Sequence, residues 1–232
     1  MTTIGILKCG AVPEEMQDKH GDYTEMFSDL LGPDLQYRVF DVENGDVPSQ
    51  PDDADGWLIT GSRHGVYEAH DWIPPLEQFL RDAYAASKPI VGICFGHQIL
   101  AQALGGKVEK FDGGWSVGQV EYTLDGESET TCVNAMHQDQ VIEPPADAET
   151  FGSTDFCKHA FLRYKGNAFT MQPHPEFNDS YTYDLIKVRL DRITPPGSAE
   201  EALKNFDKAL SQKRWGQEIR DFFLQDSDAE VD

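Results

Sequence analysis

The first half of the chain alternates short apolar runs with segments of helical periodicity. The runs are TIGILKC (3–9), YRVFDV (37–42), GWLIT (56–60) and PIVGIC (89–94). Three of them are almost continuously apolar, as parallel strands buried on both faces are. Between them, residues 23–31 and 73–80 place apolar side chains on one helical face. This alternation predicts an α/β fold with a mainly parallel central sheet and helices on both faces.

The second half has a different pattern. Short strand candidates separated by Gly, Asp and Pro lie at 107–111, 117–124, 130–136, 148–154, 160–165 and 167–173. A hairpin turn is expected at Gly166 and Asn167, so these segments predict additional antiparallel strands. Ser198 and Glu201 have capping-box spacing and predict a helix with an apolar face reaching Leu210. We expect a single domain over 1–224 and a disordered acidic tail over 225–232.

Charge and cysteine content exclude several classes of protein. The formal net charge of −22 disfavours nucleic acid and anionic membranes as partners. The N-terminus is unlike a signal peptide, and no apolar run is long enough to span a membrane, so we expect a cytoplasmic protein. The four cysteines are far apart and form no C-x-x-C pair. We expect no metal, because no His, Cys and carboxylate group has zinc-like spacing, and no cofactor, because no nucleotide-binding loop is present.

The segment GICFG (92–96) is the cysteine form of a nucleophile elbow. Such a turn exposes its central residue at the end of a strand, and flanking glycines remove the Cβ atoms that would block the bend. Cys94 would also begin a helix, whose N-terminus favours the thiolate. By itself the pattern is equally compatible with a small buried cysteine.

A base and its orienting group follow in QPHPEF (172–177). The prolines favour extended backbone, in which His174 and Glu176 point to the same side. His174 would accept the thiol proton of Cys94, and Glu176 would fix the tautomer of the imidazole. Read alone, His-Pro-Glu is more typical of a solvated turn, and only the elbow reverses that preference.

Two backbone amides are candidates for an oxyanion hole. The Phe95 amide follows the nucleophile, as elbow geometry requires. The second candidate is the Ser62 amide in LITGSRHG, where Gly61 gives the loop room to turn its amides inward. An ordinary glycine-bearing exit from a strand would read the same way.

Four segments together resemble one known family. GICFGHQILAQALGG, LITGS, MHQD (136–139) and QPHPE (172–176) are similar, in order and spacing, to the class I glutamine amidotransferases with a Cys-His-Glu triad. Within that family the likeness is closest to the GMP synthase-like proteins and the plant γ-glutamyl peptidases. The resemblance implies a flavodoxin-like, three-layer fold and a γ-glutamyl thioester on Cys94.

The resemblance also implies substrate contacts. Gln98 matches a position that contacts bound glutamine, and Trp115 and Ser116 lie in the stretch that holds its α-amino and α-carboxylate groups. Gly61 and His137 are candidate substrate contacts as well, and for His137, which is near Asp139, the resemblance implies a structural or pocket-shaping role. His97 is expected to make a structural hydrogen bond. The polar segment 14–23 is interpreted as a loop over the site, which makes it a candidate for specificity.

Three functions fit these residues. The leading hypothesis is a stand-alone hydrolase of a small-molecule γ-glutamyl amide or peptide. A second is a glutaminase subunit that delivers ammonia to a separate synthase partner. A third, disfavoured by the complete triad, is a non-catalytic binding protein.

Overall fold

The computed structural model describes residues 1–225, which form eleven strands and seven α-helices. The strands are β1 (Thr3–Lys8), β2 (Gln36–Asp41), β3 (Gly56–Ile59), β4 (Ile90–Ile93), β5 (Lys107–Lys110), β6 (Ser116–Leu124), β7 (Thr131–His137), β8 (Asp139–Glu143), β9 (Ala148–Ser153), β10 (Phe161–Tyr164) and β11 (Ala168–Met171). The helices are α1 (Glu14–His20), α2 (Tyr23–Leu31), α3 (Ile73–Ala85), α4 (Phe95–Ala103), α5 (Asp179–Val188), α6 (Ser198–Ala202) and α7 (Gln212–Gln225).

Nine strands build one mixed sheet, in the order β2-β1-β3-β4-β11-β10-β9-β6-β7. The first five in this order are parallel, and the remaining pairings are antiparallel. Strands β5 and β8 form a separate antiparallel pair. The α/β fold with a mainly parallel core and added antiparallel strands is therefore confirmed.

Helices cover both faces of the parallel strands, as the apolar runs predict. On β3, Leu58 packs in one apolar cluster and Ile59 in the other, because successive side chains of a strand point to opposite faces. Leu58 shares its cluster with α2 and α7, whereas Ile59 shares its cluster with α3 and α4. Burial on both faces explains why these strands lack polar alternation.

Several elements differ from the sequence predictions. Residues 14–20 form helix α1 rather than a loop, because Met16 is buried and Glu14 and Glu15 lie at the positive end of the helix dipole. Helix α6 begins after Gly197, so Ser198 is its first residue rather than its cap, and it ends at Ala202. Strand β8 and helices α5 and α7 were not predicted.

The C-terminal boundary also shifts. Gln225, assigned above to the acidic tail, is the last residue of α7. The rest of the predicted tail, 226–232, lies outside the described residues. Within 1–225, no helix is both long enough and apolar enough to cross a bilayer.

Candidate active site

Cys94 lies in the turn between β4 and α4. Its φ of 54° and ψ of −102° are strained for a residue with a side chain. A Cβ on Gly92 would lie 2.5 Å from the Gly96 carbonyl oxygen, and one on Gly96 would lie 2.4 Å from the Ile59 carbonyl oxygen. Both glycines are therefore required by close backbone packing, and the elbow has the predicted geometry.

His174 reaches the same sheet edge from the neighbouring strand. Strand β11 pairs parallel with β4, so the residues that follow it emerge beside Cys94. The His174 amide donates to the Asn134 carbonyl at 2.8 Å, and the imidazole stacks on Phe177 with ring centroids 3.9 Å apart. These contacts fix both the backbone and the ring plane of His174.

Glu176 orients the imidazole of His174. His174 Nδ1 lies 2.7 Å from Glu176 Oε1, and the Glu176 side chain is fully buried. The extended backbone predicted for this segment thus places both side chains on one side. Since Nδ1 is held by the carboxylate, Nε2 is left for the thiol of Cys94, which lies beside the imidazole and whose charge acts on it.

The protonation of His174 follows from these neighbours. Burial lowers the pKa of the imidazole. The negative charges of Glu176 and Cys94, with the hydrogen bond to Glu176, outweigh burial and raise the pKa of His174 above its ordinary value. The arrangement therefore favours an imidazolium, which can stabilise a thiolate and donate a proton.

Gly61 allows this approach. A Cβ at this position would lie 2.9 Å from His174 Cε1 and 3.9 Å from the Cβ of Cys94. The sequence analysis gave Gly61 the role of turning the loop after β3. The structure shows that its missing side chain also makes room for the imidazole ring.

The two predicted oxyanion donors lie on adjacent strand ends. Within residues 1–225, neither the Ser62 nor the Phe95 amide donates a hydrogen bond to a protein acceptor. Ser62 lines a cavity of about 150 Å³ together with Cys94. Both amides thus lack a protein acceptor among the described residues, but only Ser62 is among the residues that line the cavity.

Three of the predicted substrate contacts line this cavity: Gln98, Trp115 and His137. The Gln98 side-chain amide donates to the Asp139 carbonyl at 2.9 Å and to Gln172 Oε1 at 3.1 Å, so its nitrogen is already bonded. Trp115 is half-buried and also packs against an apolar cluster. Trp115 therefore forms part of the cavity wall and also belongs to an apolar cluster.

Ser116 is placed elsewhere. It lines a more open groove of about 940 Å³ between β6 and α6, which shares Trp115 with the cavity of Cys94. A contact between the Ser116 side chain and a substrate on Cys94 therefore has no support in the cavity lining. No residue of 14–23 lines that cavity either, which removes the evidence for a specificity loop there.

Two further histidines are buried without a carboxylate partner. His97 contacts Thr170 through Nδ1 at 2.7 Å, the structural hydrogen bond expected of it. His137 Nδ1 lies 3.2 Å from the Asp139 carbonyl. Burial lowers the pKa of both imidazoles to about 3, so both are neutral.

Asn134 is a site residue that the sequence analysis missed. This fully buried side chain on β7 donates to the Phe177 carbonyl at 3.0 Å and to Asp179 at 3.2 Å, while its own carbonyl holds His174. The signal was an amide inside the otherwise apolar run TTCVNAM, where an unpaired polar group would be costly.

Comparisons with known proteins agree with this geometry. The chain is 30% identical to a glutamine amidotransferase-like protein of Schizosaccharomyces pombe, over 96% of this chain and 98% of that protein. It is 30% identical to gamma-glutamyl peptidase 4 of Arabidopsis thaliana, over 84% of this chain and 82% of that protein. The crystal structure of a glutamine amidotransferase from Methylobacillus flagellatus superposes with a TM-score of 0.77 at 19% identity, covering 97% and 94% of the two chains, and shows the same fold. The family model for Glutamine amidotransferase class-I matches residues 26–186. The chain therefore belongs to the class I glutamine amidotransferase family.

Proposed function

We propose that this protein hydrolyses a γ-glutamyl amide or peptide bond, with Cys94 as nucleophile, His174 as acid and base, and Glu176 as the group that orients His174. The observation that carries the proposal is that the Cys94 thiol and the His174 imidazole lie side by side at one sheet edge, with His174 Nδ1 2.7 Å from Glu176 Oε1. The plant relative named gamma-glutamyl peptidase supports the choice of substrate class.

In the first half of the reaction, the Cys94 thiolate attacks the γ-carbonyl carbon of the substrate. The carbonyl electron pair moves to oxygen, where the Ser62 and Phe95 amides would stabilise the negative charge. When the intermediate collapses, the C–N bond breaks and His174 donates its proton to the departing amine. The products of this half are the free amine and a γ-glutamyl thioester.

In the second half, water replaces the amine. His174, now neutral, accepts a proton from the attacking water, and the same two amides hold the new oxyanion. The C–S bond then breaks and the thiolate leaves, which releases glutamate and restores the ion pair with His174. Glu176 keeps Nδ1 protonated throughout, so that Nε2 carries every proton.

A substrate panel with matched cysteine variants tests this proposal. Purified protein is incubated with glutamine, γ-glutamyl amines and γ-glutamyl peptides, and released glutamate is measured. We expect turnover of at least one γ-glutamyl compound, loss of it in Cys94→Ser and its retention in Cys132→Ser, a buried cysteine on β7. Equal rates for wild type and Cys94→Ser on every substrate would contradict the proposal. Slow hydrolysis of glutamine alone, accelerated by a synthase, would instead support ammonia delivery.

Reactivity of the thiol gives a second, independent measurement. Alkylation by iodoacetamide at neutral pH, followed by peptide mass spectrometry, compares all four cysteines in one sample. All four cysteines are buried, so we expect Cys94 to react first because His174 lies beside it as a proton acceptor. Burial raises the pKa of Cys132 to about 11 and that of Cys157 to about 12, so both serve as internal references.

A further inference from the structure

The loop between β3 and α3 brings two histidines and one glutamate together beside the cavity. His70 Nε2 lies 2.8 Å from Glu68 Oε2, and His64 Nδ1 lies 3.2 Å from the same oxygen. The three donor atoms all lie within 4.8 Å of one another. The sequence predicts no metal in this chain, because the spacing H-x₃-E-x-H belongs to none of the zinc patterns considered there.

A second carboxylate faces the other side of His64. Glu43, in the short turn after β2, places Oε1 3.2 Å from His64 Nε2. Without an ion, His64 Nε2 accepts a hydrogen bond from Arg63 Nε at 3.3 Å, and Nδ1–H can donate to Glu68. A metal ion at Nδ1 would replace that proton, and Nε2–H would then donate to Glu43. Histidines that bind metals commonly donate their other N–H to a carboxylate in this way.

The loop is anchored on both sides of these residues. Val66 is buried, and its carbonyl accepts a hydrogen bond from Gln102 at 2.9 Å. At the other end, Trp72 is buried, and its ring stacks on that of His70 with centroids 5.9 Å apart. Glu68, two residues after Val66, and His70, two residues before Trp72, are thus held close to buried residues before any ion binds.

We propose that His64, Glu68 and His70 bind one divalent transition-metal ion of the zinc class at the rim of the active-site cavity. Two imidazoles and one carboxylate suit zinc and its neighbours in the first transition row, whereas Mg²⁺ and Ca²⁺ prefer oxygen ligands. His64 and Glu68 both line the cavity. Three protein ligands leave coordination positions open to water or to a carboxylate.

The surrounding charges place the ion on the Nδ1 side of His64. The Arg63 guanidinium lies on the opposite side, 3.3 Å from His64 Nε2 and 3.2 Å from Glu43 Oε1. On the Nδ1 side the neighbours are His70 and Glu68, and Glu68 Oε2 lies 3.2 Å from His64 Nδ1 and 2.8 Å from His70 Nε2.

A metal ion on this loop would affect the candidate active site through the short segment that joins Ser62 to His64. Ser62, whose amide is a proposed oxyanion donor, lies two residues before His64, and the His64 amide donates to Ser62 Oγ at 3.2 Å. An ion held by His64, Glu68 and His70 stabilises the loop that presents this amide.

Zinc titration in a background without the Cys94 thiol tests the proposal. The background is Cys94→Ser, since a thiolate beside His174 is a competing zinc ligand. Chelator-treated full-length protein is titrated with Zn²⁺ by calorimetry, and Co²⁺ absorption reports the ligand type. His64→Gln, Glu68→Gln and His70→Gln are compared with His159→Gln, a histidine that contacts Thr150 rather than a carboxylate. Circular dichroism confirms that each variant is folded.

We expect one Zn²⁺ per chain and a Co²⁺ spectrum without a thiolate charge-transfer band. Each of the three ligand variants should weaken binding by about 10- to 100-fold or more, and His159→Gln should leave it unchanged. Equal affinity in all variants would overturn the proposal. The absence of binding up to about 0.1 mM Zn²⁺ would overturn it as well.

Discussion

The His174–Glu176 pair and the His64–Glu68–His70 cluster differ in burial far more than in distance. Nitrogen and oxygen are 2.7 Å apart in the first and 2.8 to 3.2 Å apart in the second. The His174 and Glu176 side chains are 4% and 0% exposed, whereas those of His70 and Glu68 are 32% and 43% exposed. Water screens the exposed contacts, so the same chemical pair is strong in one place and weak in the other.

The comparison separates two uses of one residue pair. In the buried pair, the carboxylate charge acts on a single imidazole and determines its protonation. In the exposed cluster, one carboxylate oxygen is shared by two imidazoles, and solvent has access to all three side chains. Burial thus favours proton transfer, and exposure favours exchange of an ion with solvent.

The largest expected effect comes from neutralising the buried carboxylate. Glu176→Gln should lower kcat on a γ-glutamyl substrate by on the order of 10³- to 10⁴-fold, because the amide neither fixes the tautomer nor stabilises the imidazolium. Asp184→Asn is the matched control, since Asp184 contacts His20 at 2.8 Å on the surface. An equal loss of kcat in both variants would contradict the distinction between buried and exposed His–carboxylate pairs.

The next effect tests the space around the buried pair. Gly61→Ala should lower kcat by on the order of 10²-fold, because the new methyl group would displace the His174 ring. Gly126→Ala is the contrasting variant: no atom lies within 4 Å of its added Cβ, but its φ is +81°. It should cost about 1 kcal/mol of unfolding free energy and leave kcat unchanged. An unchanged kcat in Gly61→Ala would show that the imidazole position tolerates the methyl group.

Buried histidines should also shape the pH dependence of stability, in opposite directions. The pKa of His174 is raised, so its stabilisation is complete below about pH 6.5 and is lost as pH rises toward the raised value. The pKa values of His97 and His137 fall to about 3, so stability should decrease as pH falls from 6.5 toward 3.

Urea unfolding across this pH range measures both slopes. Each proton contributes up to about 1.4 kcal/mol per pH unit. His174→Gln should flatten the alkaline slope and leave the acid slope, whereas His97→Gln should reduce the acid slope only. If stability still decreases at alkaline pH in His174→Gln, another titrating group causes that decrease.

The smallest effect is expected in the exposed cluster. In chelator, His70→Gln should change the free energy of unfolding by less than about 1 kcal/mol, as partly exposed ion pairs do. Zn²⁺ at 100 times its Kd should add about 2.7 kcal/mol to the free energy of unfolding of the Cys94→Ser protein. The His70→Gln variant in the same background should gain none of this. A large loss in chelator would show that the exposed contacts are stronger than their burial indicates.

The parallel half of the sheet could be predicted from sequence because burial on both faces leaves a strong apolar signal. Strands β1 to β4 and helices α2 to α4 lie where the periodicity placed them. Other elements were harder to predict from the sequence. Helix α1 is short and mostly exposed, so its pattern resembles a polar loop, and the mean hydropathy of α7 is low although Trp215 and Phe223 are buried.

The residues proposed for the active site show the same division. Cys94, His174 and Glu176 are marked by local backbone chemistry, namely glycines at a bend and prolines around an extended segment, and the structure brings them together. Asn134 holds a distant segment that its local signal does not identify, whereas His64, Glu68 and His70 lie in one loop whose spacing matches none of the zinc patterns considered. Ser116 was placed from a resemblance alone, and the structure puts it in the neighbouring groove.

The position of β11 has a consequence for the order of events during synthesis. Strand β11 lies beside β4 in the sheet, although six other strands separate them in the sequence. A chain that has emerged only as far as α4 already carries Cys94 but neither His174 nor Glu176. Under the proposed mechanism, the thiol would meet its base only when β11 pairs with β4, so a partly made chain would carry Cys94 without that partner.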